Sequence, residues 1–242
     1  MRNTQEMMMK NENGLQQIFV RIGDEYGYRH IGADFVESCD LKIKWVRQGN
    51  SVQFWVTDYL KDAPDDILES LAETIFRRIY ENADSPYDSS FIEYLTTDLF
   101  VKELQPVYLS RLGCASASPV GRYKDLRRCV DRLAEKGLVK NIPNMYMGWM
   151  PMGPSDSVGH SSPLMRSICM NERLDRHDVP DDLMDFCFYS QLKKVEQGFG
   201  MDSKRNNKEY FLSIEGYPDS ERFIAELGSR GLSMWKTLSP EC

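Results

Sequence analysis

Histidine is the side chain most often used to bind zinc or to transfer protons, and this 242-residue chain has three, His30, His160 and His177. His30 stands in a polar context, His160 in a glycine-rich turn and His177 just before a predicted helix. A metal site could still combine His160 or His177 with Asp178 or Cys169. These residues form no cluster in the sequence. We therefore expect ordinary surface or turn histidines and no metal or other cofactor.

A second set of polar residues lies in the apolar stretch DFCFYSQLKKVEQGFG, residues 185–200, where Ser190 and Lys194 are one helical turn apart and Gln191 follows Ser190. This is the spacing of the His-Glu-x-x-His motif, in which two histidines share a zinc ion and the glutamate activates the bound water. Serine and amide oxygens are poor zinc ligands, and a lysine ammonium repels the metal. Ser190 also lacks the Gly-x-Ser-x-Gly pattern of a hydrolase nucleophile, so no catalytic residue is predicted here.

Composition excludes several classes of function. The net charge of −7 argues against a broad nucleic-acid-binding face, although the segment VGRYKDLRR is locally basic and could contact a phosphate; a solvated helix face is the commoner explanation. No apolar stretch is long enough to cross a membrane, and the N-terminus lacks the features of a signal peptide. The six cysteines form no Cys-x-x-Cys pair, which predicts reduced thiols in a cytoplasmic protein, with Cys129 and Cys187 buried on helix faces.

Helices and strands are predicted from apolar spacing. Residues 63–83 have one apolar stripe at helical spacing, and residues 89–106 are predicted as a second helix that Pro106 ends. Before them, residues 40–60 alternate around the turn RQGNS and predict a β-hairpin with Trp45 and Trp55 in its arms. The second half predicts a helix, two strands joined by a loop, and three further segments: a helix over 180–197, a polar loop over 201–208 and a closing helix over 220–231.

Small residues and a proline in LGCASASPVG suggest a domain boundary. The predicted organisation is a disordered tail over residues 1–13, an N-terminal α+β unit over 14–112, a linker over 113–120 and a C-terminal domain over 121–242.

The two halves share a motif. DAPDDIL (62–68) and DVPDDLM (178–184) match at Asp, Pro, Asp and Asp, and in each half a Trp-bearing strand leads to a second strand, then to this motif and an apolar helix. The loop between the strands is longer in the second half. We expect an internal duplication: an α+β protein of two similar units, each a small antiparallel sheet packed on helices.

The second half, over residues 120–227, resembles the SprT-like and minigluzincin group of small zinc metallopeptidases. The ordered features are a helix opening with Gly-Arg-Tyr, the Trp strand MGWM, the turn VGHSSP and the strand ICMNERL. After them come the Val-Pro-led helix DVPDDLMDFCFYSQLKK and a Tyr-Pro pair in NNKEYFLSIEGYPDSE.

The resemblance implies a lost zinc site. It places the family's first histidine at Ser190, its glutamate at Gln191, its second histidine at Lys194 and its third histidine at Asn206. We expect these four residues to line a vestigial, polar and metal-free cleft. The same register in the first half holds residues equally unable to bind zinc: Thr74, Ile75 and Arg78.

The segment NMYMGWMPMGP concentrates methionine and aromatic side chains, which adapt well to irregular partners and are common at interfaces. It could be an interface or a strand buried on both faces. The residues concerned are Met145, Tyr146, Met147, Trp149, Met150 and Met152.

Together these features predict a non-catalytic pseudo-metallopeptidase that acts as an adaptor or as a subunit of a larger assembly, with another protein as its partner. Family peptidases hold their substrate as an added β-strand, so an inactive relative could hold a partner strand without cutting it. The alternative is a hydrolase with a relocated active site.

Overall fold

The computed structural model describes residues 2–82, 85–114, 118–139, 145–151, 156–199 and 203–234, except for the side chains of residues 2–13 and 203–207. The chain forms two units, Met1–Thr97 and Asp98–Cys242.

The first unit has a three-stranded sheet with two helices on one face. Its elements are α1 (Arg2–Glu25), β1 (His30–Val36), β2 (Ile43–Gln48), β3 (Ser51–Thr57), a 3-10 turn (Asp58–Leu60), α2 (Asp65–Glu81) and α3 (Ser89–Thr96). The strand order is β1-β3-β2, with β1 parallel and β2 antiparallel to β3. The rings of Phe19, Phe54 and Phe76 join α1, β3 and α2, with centroid distances of 4.9 Å from Phe19 to Phe54 and 5.1 Å from Phe54 to Phe76.

The second unit repeats this arrangement and adds helices. Its elements are α4 (Asp98–Arg111), α5 (Leu126–Glu135), β4 (Tyr146–Met150), β5 (Gly159–Ser162), β6 (Ser167–Asn171), a 3-10 turn (Glu172–Leu174), α6 (Asp181–Glu196), α7 (Ser203–Glu215) and α8 (Ser220–Ser229). The strand order is β4-β6-β5, again with the first strand parallel and the second antiparallel to the third.

The internal duplication is visible in the positions of the elements. Strands start at residues 30, 43 and 51 and the following helix at 65, and the corresponding starts in the second unit are 146, 159, 167 and 181, a constant spacing of 116 positions. Pro64 and Pro180 precede the two helices with nearly the same backbone angles, φ −56° and ψ 151° against φ −61° and ψ 148°. The predicted α+β class and the two similar units are therefore confirmed.

The sequence analysis did not predict strand β1. Because the first strand of each sheet is parallel to the third, both sheets are mixed and not purely antiparallel as expected. By the 116-residue spacing, the Trp149 strand β4 corresponds to β1 and not to the Trp45 strand β2. The longer loop expected between the strands of the second half came from pairing the wrong strands.

The predicted helix over 89–106 is two helices. The break is at Thr97, whose extended backbone ends α3 and whose Oγ1 donates to the Tyr94 carbonyl over 2.8 Å. Pro106 lies inside α4 and does not end it.

The domain boundary also differs from the expected linker at 113–120, because α4 belongs to the second unit. Gln105 Nε2 donates to the Met165 carbonyl over 2.6 Å, and the Tyr146 hydroxyl donates to the Cys114 carbonyl over 2.5 Å. Helix α1 begins at Arg2, inside the segment expected to be a tail, and α7 begins at Ser203, inside the expected polar loop. Within the described residues, no helix combines the length and the apolar character needed to cross a membrane.

Candidate functional site

Ser190 and Gln191 lie in the core of the second unit. Helix α6 packs against β5 and β6, and neither side chain has any exposed surface. Ser161 on β5 donates from Oγ to Gln191 Oε1 over 3.0 Å, and Gln191 Nε2 donates to Ser190 Oγ over 3.2 Å. Ser190 Oγ in turn donates to the Cys187 carbonyl over 2.7 Å. We call this chain the Ser161–Gln191–Ser190 network.

Gly159 makes room for this network. A Cβ atom at Gly159 would lie 3.3 Å from Gln191 Cγ and 2.9 Å from the Cys169 carbonyl oxygen. The close approach of β5 to α6 therefore depends on the missing side chain, and it holds the Gln191 stem against the sheet.

Lys194 lies one turn further along α6 and is half-buried, with Nζ 5.5 Å from the centre of the Tyr210 ring. Burial raises the pKa of the Tyr210 hydroxyl. Asn206 belongs to α7, but its side chain lies outside the described residues.

The expected polar cleft is not open at Ser190 and Gln191. Their polar atoms are bonded inside the core, so they are not available to a ligand in this conformation, and of the described members of this set only Lys194 has exposed surface. The donors present also do not fit zinc, because hydroxyl and amide oxygens with a neighbouring ammonium are a poor ligand set.

The first unit shows the same replacement at the equivalent positions. Thr74 Oγ1 donates to the Ser70 carbonyl over 2.9 Å, and Ile75 is buried in the core. Arg78 donates from Nε to the Ser85 carbonyl over 2.6 Å and stacks on the Tyr87 ring, with Cζ 4.1 Å from its centre.

A buried carboxylate that the sequence analysis missed lies on the same helix. Asp185 has no exposed surface, and it accepts hydrogen bonds from Arg132 Nη2 over 2.6 Å and from Lys136 Nζ over 3.1 Å. The bond to Asp185 raises the pKa of the Arg132 guanidinium. An acidic residue inside the apolar stretch DFCFY was the available signal, but its partners are 49 and 53 positions away. With both cations bound to it, Asp185 links α5 to α6.

The histidines are not assembled into a site. His30 is exposed at the start of β1. The His160 ring lies 6.1 Å from the Tyr108 ring, and the His177 ring lies 6.0 Å from the Tyr123 ring. The described residues contain no group of three or more His, Cys, Asp or Glu side chains placed to hold a metal ion.

The other two candidate ligands are engaged elsewhere. The Cys169 thiol is hydrogen-bonded to Cys114, and this bond and burial raise its pKa. Asp178 pairs with Arg176 and Arg230, and these bonds lower its pKa to about 2.

A surface cleft of about 710 Å³ lies beside the locally basic segment, with Arg122, Tyr123, Trp149 and His177 in its lining. The backbone N–H groups of residues 122–124 point together and would suit a phosphate. They bind Asp175 instead, with Oδ1 2.8 Å from the amide nitrogens of Tyr123 and Lys124. The anion-binding feature of this loop is therefore occupied by the protein's own carboxylate.

The methionine-rich segment contributes to the core of the second unit. Trp149 is buried and donates from Nε1 to the Pro119 carbonyl over 3.3 Å, while Met145 and Met147 pack against the core cluster. Tyr146 and Met150 are half-buried, and Met152 lies outside the described residues.

Comparison with protein-family models, with curated proteins and with solved structures finds no match to this chain.

Proposed function

We propose that the chain is a non-catalytic relative of the SprT-like and minigluzincin peptidases that acts by binding another protein, as an adaptor or as a subunit of an assembly. The observation that carries the proposal is the Ser161–Gln191–Ser190 network. At the positions where the resemblance implies zinc ligands and a general base, this network uses its polar atoms for internal bonds without exposed surface.

The chemistry of the network supports loss of catalysis. An amide cannot accept a proton as a glutamate does, and a buried serine hydroxyl bonded to a helix carbonyl has no neighbouring base among its hydrogen-bond partners. The alternative, a hydrolase with a relocated site, has less support. Two candidate histidines lie beside tyrosine rings, and Asp178 is bound to two arginines.

Binding of a protein is supported by an exposed edge strand in the first unit. Strand β2 lies at the edge of its sheet, where Trp45 is 41% and Val46 is 53% exposed. The cytoplasm stays the predicted location, because the five cysteines of the described residues are free thiols.

Restoring the lost residues tests the proposal directly. In a variant with Ser190→His, Gln191→Glu, Lys194→His and Asn206→His, we expect zinc binding that the native chain should lack, because the positions that the resemblance assigns to the zinc ligands and the general base would then carry suitable residues. The native chain should not cleave unfolded protein substrates, and affinity purification from its host should recover a partner that is intact and stoichiometric. Chelator-sensitive cleavage by the native chain would refute the proposal.

A further inference from the structure

The two sheets differ in how the face opposite the one that packs on α1 and α2, or on α6, is covered. In the second unit, the face turned away from α6 carries Tyr146, His160 and Cys169, and α4 with the residues after it lies over this face. The Tyr108 ring of α4 contacts the His160 ring, and Cys114 is bonded to both Tyr146 and Cys169. This face is therefore partly covered by α4 and the residues that follow it, with Cys169 buried and Tyr146 and His160 half-buried.

The 116-residue spacing identifies the equivalent face of the first sheet. Tyr146, His160 and Cys169 correspond to His30, Lys44 and Gln53. Side chains of β3 with the opposite orientation, such as Phe54, pack on α1 and α2. The face on the side of Gln53 is not covered by any described element of the first unit, and His30 and Lys44 are exposed on it.

We call this surface the first-sheet face, and it combines an apolar centre with a cationic rim. Its centre holds Trp55, half-buried on the middle strand, and Val46 on the edge strand. Its other residues are His30, Gly32, Asp34, Lys44 and Gln53. A shallow cavity of about 690 Å³ runs over it, lined in part by Gly32, Val46, Gln53 and Trp55.

The charged side chains of the first-sheet face indicate which kind of partner would bind there. Asp34 accepts a hydrogen bond of 2.8 Å from Gln53 Nε2, and the Gln53 side chain lies directly over Gly32, where a Cβ atom would collide with it. Arg29, which lines the cavity, and Lys44 have no carboxylate partner among the described residues. Gln53 is neutral, so the Asp34 carboxylate keeps its charge, but the two cations Arg29 and Lys44 outnumber it and the net charge of these side chains is positive.

We propose that the first-sheet face binds an amphipathic helix of a partner protein. Its apolar stripe would pack on Trp55 and Val46, and acidic residues beside that stripe would pair with Arg29 and Lys44. The repeat supports a helix as the occupant, because α4 covers the equivalent face of the second sheet. The charge of the rim supports an acidic one. This inference rests on the proposed function and names the contact through which the adaptor holds its partner.

Two synthetic peptides with the sequence of α4, residues 98–111, are suitable probes. One carries Lys102→Glu and Arg111→Glu and is acidic, and the other carries Glu103→Lys and is basic. Both are titrated into the full-length chain, and binding is measured by fluorescence anisotropy. The acidic peptide should bind at least about tenfold more tightly than the basic one, and added salt should reduce the difference.

Surface variants locate the binding. Val46→Asp and Trp55→Ala should each weaken binding of the acidic peptide by about tenfold or more. Tyr80→Ala is the matched control, because Tyr80 is an exposed aromatic residue of the same unit on α2 and should leave binding unchanged. Val46 is more than half exposed, so Val46→Asp should fold normally, and thermal unfolding verifies this for each variant.

Several results would overturn the proposal. One is that neither peptide binds, and another is that Val46→Asp and Trp55→Ala leave binding unchanged. A third is that the native chain self-associates and Val46→Asp abolishes this, which would make the face an interface between two copies. These outcomes are independent of catalysis. If the native chain is metal-free and inactive but does not bind the helix, only this contact is refuted. If the native chain contains zinc, only the proposed loss of catalysis is refuted.

Discussion

Arg132 and Asp185 form a two-pronged ion pair between α5 and α6, with Arg132 Nη2 2.6 Å from Oδ1 and Nε 2.9 Å from Oδ2. The first unit also has an ion pair between α1 and α2, where Arg21 pairs with Glu69, the residue 116 positions before Asp185, although the position equivalent to Arg132 is held by Gln16. The two pairs differ in burial. Asp185 is fully buried, whereas both members of the Arg21 pair are substantially exposed.

Removing each carboxylate should therefore have unequal effects. Asp185→Ala removes a buried carboxylate and its charged hydrogen bonds to half-buried Arg132 and exposed Lys136, and we expect a loss of about 1.5–3 kcal/mol in the free energy of unfolding. Glu69→Ala should cost about 1 kcal/mol or less, because water screens an exposed pair. Urea unfolding of both variants measures this, and equal losses would contradict the assigned burial.

The Ser161–Gln191–Ser190 network gives a second matched comparison. Gln191→Ala leaves Ser161 without its buried acceptor, and we expect it to lower the free energy of unfolding by about 1–3 kcal/mol. Lys194→Ala on the same helix should change it by about 0.5 kcal/mol, because Lys194 is only half-buried. Chemical denaturation ranks the two variants, and a larger loss for Lys194→Ala would show that the network does not stabilise the core.

Asp178 should make stability depend on pH at the acid end. Its ion pairs with Arg176 and Arg230 lower its folded-state pKa from 3.8 to about 2. The stabilisation is fully present above the unfolded-state value and is lost as the pH falls from about 4 through about 2. Asp178→Asn should flatten this part of the acid-unfolding curve, measured by circular dichroism, and an unchanged curve would exclude the pairing.

Buried thiols should be slow to react. Burial raises the pKa of Cys129 to about 12 and also raises that of Cys187, so almost no thiolate is present at neutral pH. Iodoacetamide followed by peptide mass analysis should label half-buried Cys39 in the native chain and should label Cys129 and Cys187 only after unfolding. Labelling of Cys129 at the rate of Cys39 would contradict this.

Local patterns predicted the elements that are amphipathic. Helix α2 was predicted because its apolar residues recur at helical spacing, and the hairpin of β2 and β3 because alternation flanks a Gly-Asn turn. Strand β1 was missed because Gly32 and Asp34 interrupt its pattern and because a parallel partner lies far along the chain.

The candidate site was predicted less well, for a related reason. Helix α6 is buried on nearly all sides, so no polar face marks which of its polar residues are inside. Ser190 and Gln191 were predicted to line an open cleft. Their burial was not predicted, because it depends on Ser161, 30 positions before Gln191, and on Gly159. Spacing within one helix cannot report such partners.

Zinc content tests the proposed loss of the metal site. The native chain is purified without chelators, and its zinc is measured by elemental analysis beside the variant that restores three histidines and the glutamate. We expect no stoichiometric zinc in the native chain, because hydroxyl and amide groups bonded to each other stand at the proposed ligand positions, and we expect the restored variant to bind zinc. About one tightly held zinc ion per native chain would show that the metal site is not lost.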